Sequence, residues 1–255
     1  NVGIEVLRQV MVDGYRPSVA RVYSEEDAAQ HFSHFYDGKC VLLFMAEGPE
    51  KLAKATGEAI EDAVRKHQAH IIRPVDSALI EDWFNHLNWS QAHIDAEYEQ
   101  MREHDSHAGF TTEISADWET IPVIYDAVIA KINSEFERAG DFIMLGVHSS
   151  HSYINGTNMY FVYNYEIKCA PEDELTVYHH PIQKIIVEET LRHGGSMCHH
   201  HGIGKYRSEW TKAEHGSAYH MLEKLKEAFD PKGIMNHGTI FPQAEINKFI
   251  YKNQA

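Results

Sequence analysis

The feature that most constrains this chain is one dipeptide and its flanks. Asn155-Gly156 separates two strand-like runs, residues 142–151 and 158–168. Asn-Gly at such a joint is a strong hairpin signal, so the two runs are expected to pair as antiparallel neighbours. That pairing excludes a helical bundle and a purely parallel α/β sheet. Around it, helical and strand patterns alternate. The first half reads α-β-α-β-α. The second reads β-α-β-β-α-β, with residues 196–199 as a last short strand. The expected fold class is therefore α+β: a ferredoxin-like domain with an antiparallel sheet and its helices on one face.

Local signals place the elements. Helices are expected over 4–12, 49–68, 117–139 and 175–193, the last two closed by Gly140 and by Gly194-Gly195. Ser24 followed by Glu25-Glu26-Asp27 reads as a helix start. Strands are expected over 17–23, 40–46 and 110–115. Residues 76–103 read as a Trp- and His-rich helical insertion. A further helix runs through Phe229 and is closed by Asp230-Pro231-Lys232-Gly233.

Charge and composition narrow the function classes. A formal charge of -15 argues against nucleic acid, which needs clustered Lys and Arg. It leaves room for a small anion held by converging arginines, for which Arg21, Arg102 and Arg207 are the candidates. The 3 cysteines, Cys40, Cys169 and Cys198, make no disulfide framework and point to a reducing, cytoplasmic compartment. The longest apolar run, residues 40–46, is too short to cross a bilayer.

Two segments carry chemistry. Gly194-Gly195-Ser196-Met197-Cys198-His199-His200-His201-Gly202-Ile203-Gly204 packs glycines and three histidines into one turn. If extended, it puts His199 and His201 on one face and His200 on the other. Three readings stand open for it: a metal site completed by His148 and His151, a proton-handling site, or a structural loop. The second segment is Ser150-His151-Ser152-Tyr153 through Tyr160-Phe161, with Tyr160 on a strand. A cleft tyrosine can act as an acid or base if its pKa is lowered; by itself it reads more simply as a half-buried aromatic.

These residues resemble the alkylglycerone-phosphate synthases, members of the FAD-linked oxidase superfamily. Ser196 to Lys205 followed by Trp210 is similar to their histidine loop. Arg16-Pro17-Ser18-Val19-Ala20-Arg21-Val22-Tyr23 resembles their first cap strand. Gln100-Met101-Arg102-Glu103 resembles their Arg-acid helix, and His148 to His151 with Tyr153, Gly156 and Tyr160-Phe161 their Ser-His-x-Tyr strand pair. Residues 229–236 resemble the superfamily's C-terminal signature. The likeness spans residues 3–242.

The resemblance implies that residues 1–242 are the substrate-binding cap, residues 243–255 a tail, and that an FAD-binding half precedes Asn1. It implies a flavin-dependent exchange of the acyl group of acyl-dihydroxyacetone phosphate for a fatty alcohol in ether-lipid synthesis, without net redox change. FAD is expected in the full-length protein and not bound to this chain alone. Tyr160 would be the acid/base, with His199, His200 and His201 lining the site. Arg102, Arg21 and His151 would bind substrate, and Asn236 and Gly238 would stand beside the cofactor. The partners implied are a phosphate-bearing lipid precursor and a fatty alcohol, with no nucleic acid; a peripheral membrane contact and a homodimer are compatible with it.

The nearest alternative is the FAD-linked 2-hydroxyacid dehydrogenases of D-lactate or glycolate type. They usually carry Glu where His200 stands, and a metal-binding strand histidine roughly where Tyr160 stands. Those departures favour the synthase and leave no metal expected. A non-catalytic ligand-binding module is the third reading. Near the end the superfamily usually reads Asn-Pro-Gly; this chain has Asn236-His237-Gly238, without the stiff proline turn.

Overall fold

The computed structural model describes residues 2–32, 38–67, 76–87, 90–103 and 106–242. The expected tail, 243–255, lies outside the described residues. The expected hairpin is present, though not as a tight Asn-Gly reversal: β4 (Phe142–Ser149) and β5 (Gly156–Glu166) pair antiparallel, with Val147 opposite Phe161 and His148 opposite Tyr160. Residues 150–155 join them, and neither Asn155 nor Gly156 has a positive φ; Gly156 instead opens β5, where a Cβ would meet the Ala116 carbonyl at 2.2 Å. In chain order the other strands are β1 (Val19–Tyr23), β2 (Val41–Met45) and β3 (His107–Asp117). They build one five-stranded antiparallel sheet in the order β2-β1-β4-β5-β3. β3 is longer than the expected 110–115, because β5 templates it over its whole length, from His107 opposite Glu166 to Asp117 opposite Gly156.

Strand side chains alternate between faces, so register decides what each face carries. One face presents Ile114, Val147, Met159, Phe161 and Tyr163 to the main core. Helix α6 (Thr120–Glu135) meets it with Ile121, Ile124, Val128 and Ile132, all fully buried, at the three- and four-residue spacing of one helical face. Helix α7 (His180–Arg192) adds Ile182 and Ile186. Each such burial stabilises by about 1.5–3 kcal/mol. On the same face, α1 (Val2–Val12) sets Leu7 and Met11 on Ala20 and Val22, and Val6 and Val10 against Ala63 and Val64 of α3 (Glu50–Lys66).

The helices are not confined to one face, which corrects the expectation. Helix α2 (Glu25–His31) and α4 (Ser77–Leu87) of the insertion pack on the opposite face, where Tyr23, Ala28, Phe32, Leu43 and Trp83 form their own cluster. The second insertion helix is α5 (Gln91–Glu103). Gly146 permits the seating of α2: a Cβ there would lie 2.7 Å from the Asp27 Cβ and 3.0 Å from its backbone nitrogen. Ser24 caps α2 as predicted, and its Oγ also accepts from the Val147 N–H at 3.0 Å, tying the helix start to β4.

Three further expectations change. The 175–193 helix opens as a π turn, Leu175–His179, before α7, with Pro181 supplying no N–H at the joint. The helix through Phe229 is broken into α8 (Thr211–His215) and α9 (Tyr219–Phe229), with Gly216 at φ 50 between them. Residues 196–199 form no strand. Ser196 makes one bridge to Ser115, and the next N–H groups leave the strand edge for a side chain, described below.

Candidate active site

The register aligns a row across the face opposite the main core. Tyr23 of β1 stands opposite His148 of β4, His148 opposite Tyr160 of β5, and Tyr160 opposite Glu113 of β3. These side chains therefore point to the same side. The His148 ring stacks on Tyr160, centroids 4.5 Å apart at 23°. Here an otherwise apolar sheet becomes a titratable surface.

Glu113 is the anchor of this surface. It is fully buried. Its carboxylate accepts from the His199 N–H at 3.0 Å and from the His200 N–H at 3.2 Å. It also lies 3.1 Å from His200 Nδ1. Since a carboxylate accepts, His200 carries its proton on Nδ1, and Nε2 is left as the acceptor. The Tyr160 hydroxyl lies 2.8 Å from that Nε2 and donates to it. Tyr160, His200 and Glu113 thus form a hydrogen-bonded chain in which the acid sets the tautomer of the imidazole.

Burial pushes the Tyr160 hydroxyl above the ordinary tyrosine range; the negative Glu113 adds to this, while the Ser150 and Asn158 side chains and the positive Arg21 pull it down. The lowered value expected for acid/base work is therefore not found. The free site instead holds Tyr160 protonated and ready to donate.

The histidine loop reaches this position round the edge of β3. Ser196 and Ser115 exchange both backbone hydrogen bonds, at 2.7 and 2.9 Å. Gly195 lies so close that a Cβ would meet Ile124, Thr190 and the Ser115 carbonyl at 2.8–3.0 Å. Met197 is buried with Val187 and Trp210. Arg207 is buried and donates to the Glu113 carbonyl at 2.8 Å and the Met197 carbonyl at 2.6 Å, pinning loop to strand. The chain then bends, and the expected opposition of His199 and His200 does not occur. Their Nδ1 atoms lie 2.9 Å apart beside Glu113. His201 also approaches, its ring centroid 5.3 Å from that of Tyr160. Alternation of faces holds only for extended backbone, and two N–H groups bound to one carboxylate force a turn.

The loop between β4 and β5 completes the cluster. Asn158 Oδ1 accepts from the Ser150 N–H at 3.1 Å and the His151 N–H at 2.9 Å. Trp118 Nε1 donates to the carbonyls of Tyr153 and Ile154. This brings the His151 ring to 4.6 Å from His200 and the Tyr153 hydroxyl to 2.9 Å from His199 Nε2. Burial lowers the pKa of both His151 and His201, and the neighbouring histidines and positive arginines lower it further. The buried Asn158 Nδ2 has no partner among the described residues.

Behind His148 lies a second cluster. Its Nδ1 is 2.5 Å from Oδ2 of the fully buried Asp27, and His31 Nε2 is 3.3 Å from Oδ1. His148 therefore belongs with α2, whereas the sequence reading grouped it with His151 around the loop. Both Asp27-His31-His148 and Glu113-His199-His200 hold their ligand-type atoms within 4.8 Å of one another.

The three arginines do not converge. Arg207 is committed to carbonyls. Arg21 donates to the Tyr23 hydroxyl at 3.1 Å and lies over the Trp83 ring, 5.1 Å from its centroid; its positive charge lowers the pKa of Tyr160 and of His151. Arg102 is exposed at the end of α5, where it donates to the Tyr98 carbonyl at 3.3 Å; among the described residues it has no hydrogen bond to the cluster. Asn236 and Gly238, at φ 47 and 78, shape a turn after Asp230, whose carboxylate accepts from the Ile234 and Met235 N–H groups at 3.0 Å. Neither contacts Tyr160. Glu113 and Asp27 were missed in the sequence. A signal was available for Asp27 in its one-turn spacing to His31, whereas Glu113 stands on the polar phase of β3 with Thr111 and Ser115 and gave none.

Comparison with known proteins places the chain in a family. Residues 2–240 match the family described as FAD linked oxidases, C-terminal domain. The chain belongs to that family. It is 57% identical over 241 residues to the "Uncharacterized FAD-linked oxidoreductase YgcU" of Escherichia coli (strain K12), covering 94% of this chain and 49% of that protein. It is 22% identical over 225 residues to the alkyldihydroxyacetonephosphate synthase of Dictyostelium discoideum, covering 86% of this chain and 35% of that protein. A solved structure of alkyldihydroxyacetonephosphate synthase superposes with a TM-score of 0.60 at 16% identity, over 91% of this chain and 40% of that one, which shows a shared fold. The chain thus spans about half the length of the YgcU relative, or less than half of the synthases. Among the described residues, no helix is long and apolar enough to cross a membrane.

The residues present suit one edge of a flavin. Tyr160 offers a protonated hydroxyl, Asn158 Nδ2 an unsatisfied buried donor, and His151, His200 and His201 an accessible rim of aromatic, polar rings.

Proposed function

We propose that the complete protein is a FAD-dependent enzyme of alkylglycerone-phosphate synthase type, in which this chain is the cap that binds a phosphate-bearing lipid precursor and handles its proton. The observation that carries the reading is the Tyr160–His200 hydrogen bond backed by buried Glu113. The flavin, when bound, supplies the electron-accepting ring. Tyr160 gives and takes the proton at the reacting oxygen or carbon. His200 receives that proton at Nε2, while Glu113 stabilises the imidazolium that results. His199 and His201 exclude water and orient the alcohol that replaces the acyl group. Arg21 holds the substrate phosphate, with His151 as a further polar contact. Asn236 and Gly238 would line the cofactor side.

A second reading is net oxidation of a hydroxylated carbon; the name of the relative at 57% identity, an FAD-linked oxidoreductase, favours it. The same Tyr160–His200 pair would then take the hydroxyl proton.

One experiment separates them. The purified full-length protein is mixed without oxygen with acyl-dihydroxyacetone phosphate or with D-lactate, and its visible flavin absorption is followed. Bleaching by the acylated phosphate, with recovery on adding a fatty alcohol alone, supports the synthase. Bleaching by the hydroxy acid, with recovery only on adding an electron acceptor, supports the oxidoreductase. No flavin absorption at all would overturn both.

A further inference from the structure

The Tyr160 chain uses one face of the His148 ring and leaves the groups behind it unexplained. Asp27 is fully buried, yet Oδ1 has no aligned hydrogen-bond donor. A buried carboxylate oxygen without a partner is costly. Two imidazole nitrogens converge on this carboxyl group, His148 Nδ1 from β4 and His31 Nε2 from one turn further along α2. A structural pair needs only one.

From this geometry we infer that Asp27, His31 and His148 form a binding site for a divalent transition-metal ion, with Zn2+ as the best match. Two imidazoles and one carboxylate are a donor set of borderline softness that suits Zn2+ and leaves a fourth position for water. Zn2+ sits roughly 2.0–2.2 Å from such ligands, so tetrahedral donors stand roughly 3.3–3.5 Å apart. His31 Nε2 already stands 3.3 Å from Asp27 Oδ1, whereas His148 Nδ1 lies 2.5 Å from the other oxygen, Oδ2, and has to open to admit an ion. His148 binds the ion through Nδ1 once the proton it gives to the Asp27 carboxylate has left for solvent. The side chains of Asp27 and His148 are 0% and 13% exposed and that of His31 36%, so entry is from the His31 side.

The seat is held independently of the ion. Gly146 lets Asp27 approach β4, and Ser24 bonds the helix start to Val147. An ion here would lock α2 to β4 and fix the ring on which Tyr160 stacks. The inference does not depend on which reaction the enzyme performs.

The test uses full-length protein stripped with a chelator and dialysed against Zn2+, with bound metal measured by elemental analysis. The expected result is one tightly held Zn2+ per chain, and affinity at least about tenfold weaker in His31→Gln and in His148→Gln. His31→Gln alters a partly exposed side chain, so loss there is not loss of fold; flavin content, read from its absorption, checks this. Glu113→Gln, which alters the other cluster, should keep the ion. No bound Zn2+, or binding indifferent to His31→Gln, or loss only in Glu113→Gln, would overturn the assignment.

Discussion

The Tyr160 hydroxyl lies 2.8 Å from Nε2 of His200, and the far side of that imidazole is held by a carboxylate from which water is excluded. The arrangement couples a raised-pKa phenol to an acceptor of defined tautomer. Tyr160→Phe and His200→Gln should therefore leave folding and flavin binding intact in the full-length enzyme. Each should slow the chemical step by about 100- to 10,000-fold. Rapid-mixing measurement of flavin bleaching reads this directly, and wild-type rates in Tyr160→Phe would remove it from the mechanism.

Glu113 should matter for stability as well as chemistry. In Glu113→Ala the N–H groups of His199 and His200 and the His200 ring lose their common acceptor. A loss of about 2–4 kcal/mol is expected, and Glu113→Gln should lose less because its amide oxygen still accepts. Urea denaturation compares the two; equal stability of Glu113→Ala and wild type would mean that the loop is held elsewhere.

Gly195 sets the approach of the histidine loop to β3. A methyl group there meets Ile124 at 2.8 Å, Thr190 at 2.9 Å and the Ser115 carbonyl at 3.0 Å. Gly195→Ala should cost about 1–3 kcal/mol by overpacking and displace the loop. Slowed turnover together with a lowered melting temperature would show both effects; an unchanged melting temperature would contradict the close packing.

His179 provides a pH test. It lies against Phe110, ring centroids 4.1 Å apart, and burial lowers its pKa from the ordinary 6.5 to about 4, the positive His180 and Arg207 adding to this. The unfolded chain takes up this proton before the folded one does. The stability His179 contributes is thus present above pH 6.5 and lost as pH falls toward 4. His179→Gln should flatten the fall in unfolding free energy across that window. Parallel profiles for the two proteins would show that other groups carry the acid sensitivity.

The order of elements was legible in the sequence because its signals are local. The strand-like runs flanking Asn155-Gly156 marked the hairpin, and Ser24 the start of α2. Tyr160 and the three loop histidines stood out through resemblance and density. Long-range register was not legible. A glutamate within β3 shows nothing of its role until pairing sets it opposite Tyr160, and an aspartate on α2 shows nothing until Gly146 lets the helix close on β4.

The sequence by itself determined the α+β class and the hairpin at its centre, since periodicity and turn chemistry act over a few residues. The tertiary structure alone decided which acid holds which imidazole. Glu113 meets His200 across 87 residues and Asp27 meets His148 across 121, distances along the chain that only sheet pairing and helix packing close.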